Sequence, residues 1–223
     1  MTQITGHTRL FGILADPIAH VKTPQVMAEV FARHGVDGVL VPMHVTPDQL
    51  PQALDGLRAM RNFGGFIATM PHKAAMLGLC DAIEGDAARI GAVNCVRREE
   101  DGRLIGAMLD GIGFVEGVRL AGIDPGGTRV LLAGAGGAAS AIAFALAEAG
   151  VAALTILNRT ASKADDLAQR VSAAYPGCRA EGCSSIADPG GYDIVANATS
   201  LGLRAGDPLP LSPEGLRAGQ IVA

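Results

Sequence analysis

Gly134-Ala135-Gly136-Gly137-Ala138-Ala139 is a GxGxxA run that directly follows an apolar stretch and opens a helical pattern. In that setting the first glycine makes the turn and the second lets backbone N–H groups approach a pyrophosphate. The helix N-terminus then offers its unpaired donors to the anion. With 30 glycines in the chain the spacing alone says little, and a merely tight βα turn is the alternative. A second cluster bears on the same ligand. The next apolar stretch ends in Leu157-Asn158-Arg159-Thr160, Lys163 stands one turn further on, and the first acid after them is Asp165. A site that reads a ribose 2′-hydroxyl offers Asp or Glu there, whereas two cations favour a 2′-phosphate, and hence NADP. Solvated side chains are the alternative reading, although cations at a helix N-terminus are mildly unfavourable unless an anion joins them.

The other chemistry-bearing residue types form no such pattern. Cys80, Cys95, Cys178 and Cys183 show no CxxC spacing and read as buried or incidental thiols in a reducing cytoplasm. No metal-ligand cluster stands out. His20 and His72 each lie beside Pro or Lys and read as structural, and Arg97 to Asp101 as a solvated hairpin tip.

The elements that must position the glycine loop follow from apolar runs and their punctuation. Strand Arg129–Ala133 leads into it, helix Ala138–Ala149 leaves it, and strand Leu154–Leu157, a helix near Ser162–Ala174 and strand Asp193–Ala196 follow. Strands separated by helices of this length imply parallel βαβ units with right-handed crossovers. Ahead of them a helix from Gly111 to Leu120 serves as a rigid connector. The first half alternates too. Its strands are Leu10–Ala15, Gly38–Val41 and Gly64–Met70, the last running into Pro71, which suits the first turn of a helix. Between them, Pro24 to His34 places Val26, Met27, Val30 and Phe31 on one helical face, and Pro47 to Met60 makes a second helix. Cys95–Arg97 and Arg103–Ile105 flank the Asp101-Gly102 turn of a hairpin. The expectation is an α/β chain with a first domain over 1–106 and a Rossmann-type parallel-sheet domain over 107–223.

Composition narrows the partners. Hydrophobic residues make up 49% of the 223 and charged residues 18%, which argues for a folded core rather than disorder. Aromatics are only 4% and Trp is absent, so that core must come from Ala, Val, Leu and Ile. A formal charge of −4 without a basic run argues against nucleic acid. No apolar span suits a membrane, and the first residues lack the pattern of a secretion signal.

The chemistry of the first half comes into view through a resemblance. Asp16-Pro17-Ile18-Ala19-His20-Val21-Lys22-Thr23-Pro24 resembles the opening motif of shikimate dehydrogenases, and Ala68-Thr69-Met70-Pro71-His72-Lys73 their Val-Thr-x-Pro-x-Lys segment. Ile90-Gly91-Ala92-Val93-Asn94 matches the family's IGAVN, and Asp110-Gly111-Ile112-Gly113-Phe114 its DGxGF. The glycine loop, Asn158-Arg159-Thr160 and Asn197-Ala198-Thr199-Ser200 follow in the family's order. The resemblance implies a substrate domain, then an NADP domain, with the substrate in the cleft between them. It implies Lys73 and Asp110 as the catalytic pair, and Thr23, Thr69 and Asn94 as substrate-binding. Gly134, Ala135, Gly136, Gly137, Ala138, Asn158, Arg159, Thr160, Lys163 and Thr199 would hold the cofactor. The activity implied interconverts shikimate, or a related cyclic hydroxy acid, with its 3-dehydro ketone in the cytoplasm, with a homodimer as the assembly to test. The chemistry is consistent: ketone reduction needs a hydride at carbon and a proton at oxygen, and a lysine serves as acid once its surroundings tune it.

Four positions depart from the family's pattern, all in the substrate motifs. Val21 stands for the first serine of a Ser-x-Ser pair whose second is Thr23, Ile67 for an asparagine, and Met108-Leu109 for an Asn-Thr. Polar substrate contacts have become apolar while the catalytic pair and cofactor loop remain, which reads as altered substrate preference. The sequence ends at Gly219-Gln220-Ile221-Val222-Ala223, like a strand just starting, where family members continue. That reads as a truncated chain, and the alternative function is a non-catalytic metabolite- or nucleotide-binding module.

Overall fold

The computed structural model describes residues 3–186 and 188–223. The chain divides into two compact units, Met1–Met108 and Leu109–Ala223.

The first unit is built on β1 (Arg9–Ala15), α1 (Thr23–Arg33), β2 (Gly38–His44), α2 (Leu50–Ala59) and β3 (Phe63–Ala68). Short elements α3 (Met76–Leu79), β4 (Ala82–Ile83) and α4 (Ala87–Ile90) lead to the hairpin β5 (Cys95–Arg98) and β6 (Leu104–Ala107). The six strands lie in the order β2-β1-β3-β5-β6-β4. β1 runs parallel to β2 and β3, while β5 is antiparallel to both β3 and β6. The hairpin turns at Asp101-Gly102 as its sequence predicts: Gly102 takes φ +91° and its N–H donates to the Glu99 carbonyl at 3.0 Å. α2 buries Leu50, Leu54 and Leu57, an i, i+4, i+7 stripe on one face.

Two expectations for this unit are corrected. Pro71 does not begin a helix. The Met70–Pro71 peptide is cis, the chain turns through 70–75, and the helical stretch starts only at Met76. On α1, Phe31 is buried and Met27 packs on the Ile13–Phe31–Leu40 cluster, but Val26 and Val30 are exposed. Four apolar residues on a helix span more arc than one sheet surface can cover, so the stripe is split.

The second unit begins with α5 (Asp110–Leu120). It continues through β7 (Arg129–Ala133), α6 (Gly137–Glu148), β8 (Ala153–Leu157), α7 (Ala161–Ala174), β9 (Arg179–Cys183), β10 (Ile194–Asn197) and β11 (Ile221–Val222). The strand order is β11-β10-β7-β8-β9 and every pairing is parallel. This is the Rossmann-type sheet read from the sequence. Its central strands are buried on both faces, as Leu131, Leu132, Leu154 and Ile156 show. α6 is Ala-rich and buries eight of its twelve residues. Small side chains let α5 come very close to it. A Cβ placed on Gly111 would stand 2.1 Å from the Ala141 carbonyl oxygen and 2.9 Å from the Ala145 Cβ. β9 had no counterpart in the sequence reading, because Arg-Ala-Glu-Gly-Cys at a sheet edge carries neither an apolar run nor alternation.

Candidate functional site

In the first unit, the residues singled out by sequence gather at the end of the sheet where β1 and β3 finish. Thr23 opens α1, Thr69 follows β3, and Asn94 immediately precedes β5, whose Cys95 pairs with Ile67 of β3. Lys73 lies in the turn after Thr69. Backbone bonds fix this segment on two sides. The Thr69 N–H donates to the Leu14 carbonyl at 3.0 Å, and the Asp16 N–H to the Met70 carbonyl at 3.0 Å. Opposite, the Val93 N–H donates to the Lys73 carbonyl at 2.9 Å, and the Ala68 N–H to the Asn94 carbonyl at 2.8 Å. The main chain of Lys73 is thereby tied to the neighbour of Asn94. His72, almost wholly buried, anchors the same turn through Nε2 and the Val45 carbonyl, 2.9 Å apart. Lys73 and Thr69 are half-buried, and Asn94 is buried. Burial raises the pKa of the adjacent Cys95, which keeps it an uncharged thiol.

Two of the departing residues have a clear structural setting. Val21 and Ile67 both pack onto the Ile13–Phe31–Leu40 cluster, so the apolar core runs up to this end of the sheet. Met108 is buried, while Leu109 is 46% exposed.

In the second unit, Gly134 leaves β7 at φ +118°, and its N–H donates to the Leu157 carbonyl at 2.7 Å. A Cβ there would meet the Ala198 carbonyl oxygen at 2.8 Å, so the turn needs glycine for conformation and for space. Gly136 precedes α6 in extended conformation, nothing lies within 4 Å of the Cβ it lacks, and no side chain caps the helix. Backbone donors are thus presented beside open space at the positive end of a helix, the setting an anion needs. Ala135, Gly137 and Ala138 complete this turn.

At the end of the neighbouring strand β8, the Asn158 Nδ2 donates to the Thr160 carbonyl at 2.9 Å, which curls the chain into α7. Arg159 and Lys163 are exposed at that corner. The dinucleotide-phosphate reading fits these residues: a glycine cradle, an uncapped helix end, and cations one strand away. Asp110 is the first residue of α5, one position before the glycine that seats this helix on α6.

The sequence reading named Thr199 but gave no role to Asn197. The Thr199 N–H and Oγ1 both donate to Asn197 Oδ1, at 3.0 and 2.7 Å. The Asn197 Nδ2 donates to the Leu201 carbonyl at 3.0 Å, and Thr199 Oγ1 accepts from the Leu201 N–H at 3.1 Å. Asn197 therefore organises the loop whose Ala198 carbonyl abuts Gly134. Its place at the end of an apolar strand, two residues before a threonine, is the signal from which such an Asx-type turn could have been read.

Comparison with known proteins gives matches in both units. Residues 13–96 match the family described as shikimate dehydrogenase substrate binding domain, and residues 121–201 that described as shikimate / quinate 5-dehydrogenase. A shikimate dehydrogenase (NADP(+)) of Rubrobacter xylanophilus is 46% identical over 222 residues, which is 99% of this chain and 78% of the relative. Among solved structures, a 5-ketofructose reductase of Gluconobacter superposes with a TM-score of 0.84 at 37% identity, over 96% of this chain and 78% of that one. A shikimate 5-dehydrogenase of Thermus thermophilus, in complex with NADP(H) and shikimate, gives 0.82 at 33% identity, over 96% and 77%.

Proposed function

The chain belongs to the shikimate dehydrogenase family, and from that premise we propose how its own residues divide the work of an NADP-dependent oxidoreductase acting on a CH–OH group. The reaction interconverts shikimate, or a related cyclic hydroxy acid, and its 3-dehydro ketone. When bound, NADPH supplies the hydride. Gly134, Ala135, Gly136, Gly137 and Ala138 hold the pyrophosphate on backbone N–H groups. Arg159, with Lys163, Asn158 and Thr160 around it, takes the 2′-phosphate, and Thr199 braces the loop from the other side.

Lys73 is the acid in the reducing direction and gives its proton to the carbonyl oxygen that becomes the hydroxyl. In the reverse direction its neutral amine takes the proton back. Asp110 accepts a hydrogen bond from that hydroxyl. Thr23, Thr69 and Asn94 orient the ring through hydrogen bonds. The observation that carries the reading is the turn at Gly134, which admits no side chain and leads into an uncapped helix, with Arg159 at the next strand end. The test is a panel followed by NADPH absorbance: shikimate, quinate, aminoshikimate and simpler cyclic alcohols. Turnover of none of them with NADP overturns it.

A second reading of the substrate rests on Val21 and Ile67. They stand where the family places hydroxyl and amide groups, and both are packed on an apolar cluster. That packing favours a substrate with fewer polar contacts at this edge, and the similarity to a 5-ketofructose reductase makes a keto-sugar the informative addition to the panel. We further propose a cytoplasmic homodimer. All four cysteines are free thiols, and Val26 and Val30 give α1 an exposed apolar patch. Among the described residues no helix is long and apolar enough to cross a membrane. Sedimentation velocity decides the dimer.

A further inference from the structure

A cavity of about 280 Å³ opens in the first unit, lined by Arg9, Arg61, Phe63, Arg98 and Glu100. Arg9 and Phe63 are the first residues of the parallel strands β1 and β3, whereas Asp16 and Thr69 follow their last residues. The cavity is therefore at the opposite end of the sheet from the Thr23–Thr69–Lys73 cluster. Seven residues of strand at about 3.3 Å each separate the two ends by roughly 20 Å.

The arginines around it differ from their neighbours. Arg58 pairs with Asp81, Arg97 with Glu84 and Glu99, and Arg103 with Asp101. Among the described residues, Arg9, Arg61 and Arg98 have no such carboxylate partner. Arg9 has its guanidinium 5.7 Å from the centre of the Phe11 ring. Arg98 is buried, and its three hydrogen bonds all go to neutral carbonyls. Nε and Nη2 donate to the Arg58 carbonyl at 2.9 and 2.7 Å, and Nη1 to the Glu99 carbonyl at 2.9 Å. The Arg58 carbonyl lies in the last turn of α2, so Arg98 caps that helix and meets the negative end of its dipole. That holds the guanidinium rigidly but matches its charge only in part. Two of its five N–H groups remain beyond those bonds. Three guanidinium groups against one carboxylate, on the walls of one cavity, leave a net positive lining with an aromatic floor at Phe63.

We propose that this cavity binds a small multivalent oxyanion, of phosphate or polycarboxylate chemistry. Its volume equals roughly nine waters at about 30 Å³ each, enough for a diphosphate or a tricarboxylate. The fixed Arg98 sets the anion's position, and the exposed Arg9 and Arg61 close on it from either side. Glu100 on the same wall offsets part of the positive charge without cancelling it.

The test is isothermal titration of the full chain with inorganic pyrophosphate and, separately, citrate, at constant ionic strength, each with and without saturating NADP⁺. One saturable site that persists in NADP⁺ is expected. Arg9→Ala and Arg61→Ala should each weaken it about fivefold or more while leaving turnover unchanged. Both side chains are exposed, so neither variant threatens the fold. The tighter probe identifies the source as phosphate or carboxylate. The proposal is overturned if neither probe shows saturable binding at millimolar concentration, if binding vanishes in NADP⁺, or if both variants bind as the wild type does.

Discussion

α5 carries three glycines, Gly111, Gly113 and Gly117, and only at the first is the space of a Cβ already taken. Replacing each with alanine separates a positioning contact from helix propensity. At Gly113 and Gly117 a Cβ meets nothing within 4 Å, so alanine should stabilise the helix by about 0.5–1 kcal/mol and leave kcat alone. At Gly111 the same methyl would lie 2.1 Å from the Ala141 carbonyl oxygen and 2.6 Å from its carbon. Even a close C···O approach is about 3.3 Å, so α5 must retreat by roughly 1 Å. Ala141 lies one turn beyond Gly137, the first residue of α6 at the end of the glycine loop, and Asp110 precedes Gly111. The retreat therefore moves the Asp110 carboxylate relative to that loop. Overpacking of this kind costs about 1–3 kcal/mol, which the propensity gain offsets only in part. A 1 Å displacement of a reacting group costs about 100-fold in rate. The assay measures kcat, the NADPH dissociation constant by fluorescence and the thermal midpoint for all three variants. Gly111→Ala should lose about 100-fold in kcat with NADPH binding nearly intact, while the other two melt higher and turn over normally. If Gly111→Ala behaves like Gly113→Ala, the helix contact does not position Asp110 and the reasoning fails.

Arg159→Ala should weaken NADPH binding by about 1.5–3 kcal/mol and leave NADH nearly unchanged; equal losses for both would show that Arg159 does not read the 2′-phosphate. Lys73→Ala should lower kcat by about 10²–10⁴-fold, with Lys73→Ala/Asp110→Asn little worse than the worse single variant, so additive losses would separate the two residues. Val21→Ser/Leu109→Thr should raise kcat/KM for shikimate, at about 1–3 kcal/mol per hydrogen bond restored, and an unchanged value would make the apolar replacements neutral. Burial pushes the Cys80 thiol up to about 11, against about 8.5 in an unfolded chain. Because the folded value is the raised one, this contribution to stability is whole below the unfolded value and is lost as pH climbs towards about 11. Urea midpoints taken across that window should fall more gently in Cys80→Ala than in the wild type.

The nucleotide-type sheet was legible because its strands are short apolar runs between glycine and helix signals. Arg129–Ala133 runs into Gly134, and Ala153–Leu157 runs into Asn158-Arg159-Thr160. Local patterning says nothing of an edge strand whose place is set by its pairing with β8 and by α7 packing on it, which is why Arg179–Cys183 was invisible. Similarly, Pro71 carries two opposed local meanings, a helix start and a turn, and the turn is chosen by bonds to Leu14 and Val93 that no local window contains. Within the candidate site the residue types and order could be read, but not the ties that hold them. His72 on Val45 and Asn197 on Thr199 and Leu201 depend on where the chain returns.

α6 also bears on how this protein tolerates change. A core of leucine and phenylalanine is most easily damaged by truncation, because cavities are costly. Here Ala139, Ala141, Ala143 and Ala147 have almost nothing to remove, and Gly111 comes so near Ala141 that no added atom fits. Random variation at this interface is thus asymmetric: almost every viable codon change enlarges a side chain, and enlargement is the direction that separates α5 from the loop-bearing helix. Stabilising this enzyme by filling its core is therefore closed along α6. The room for improvement lies at solvent-facing positions such as Gly113 and Gly117, where added atoms meet only water.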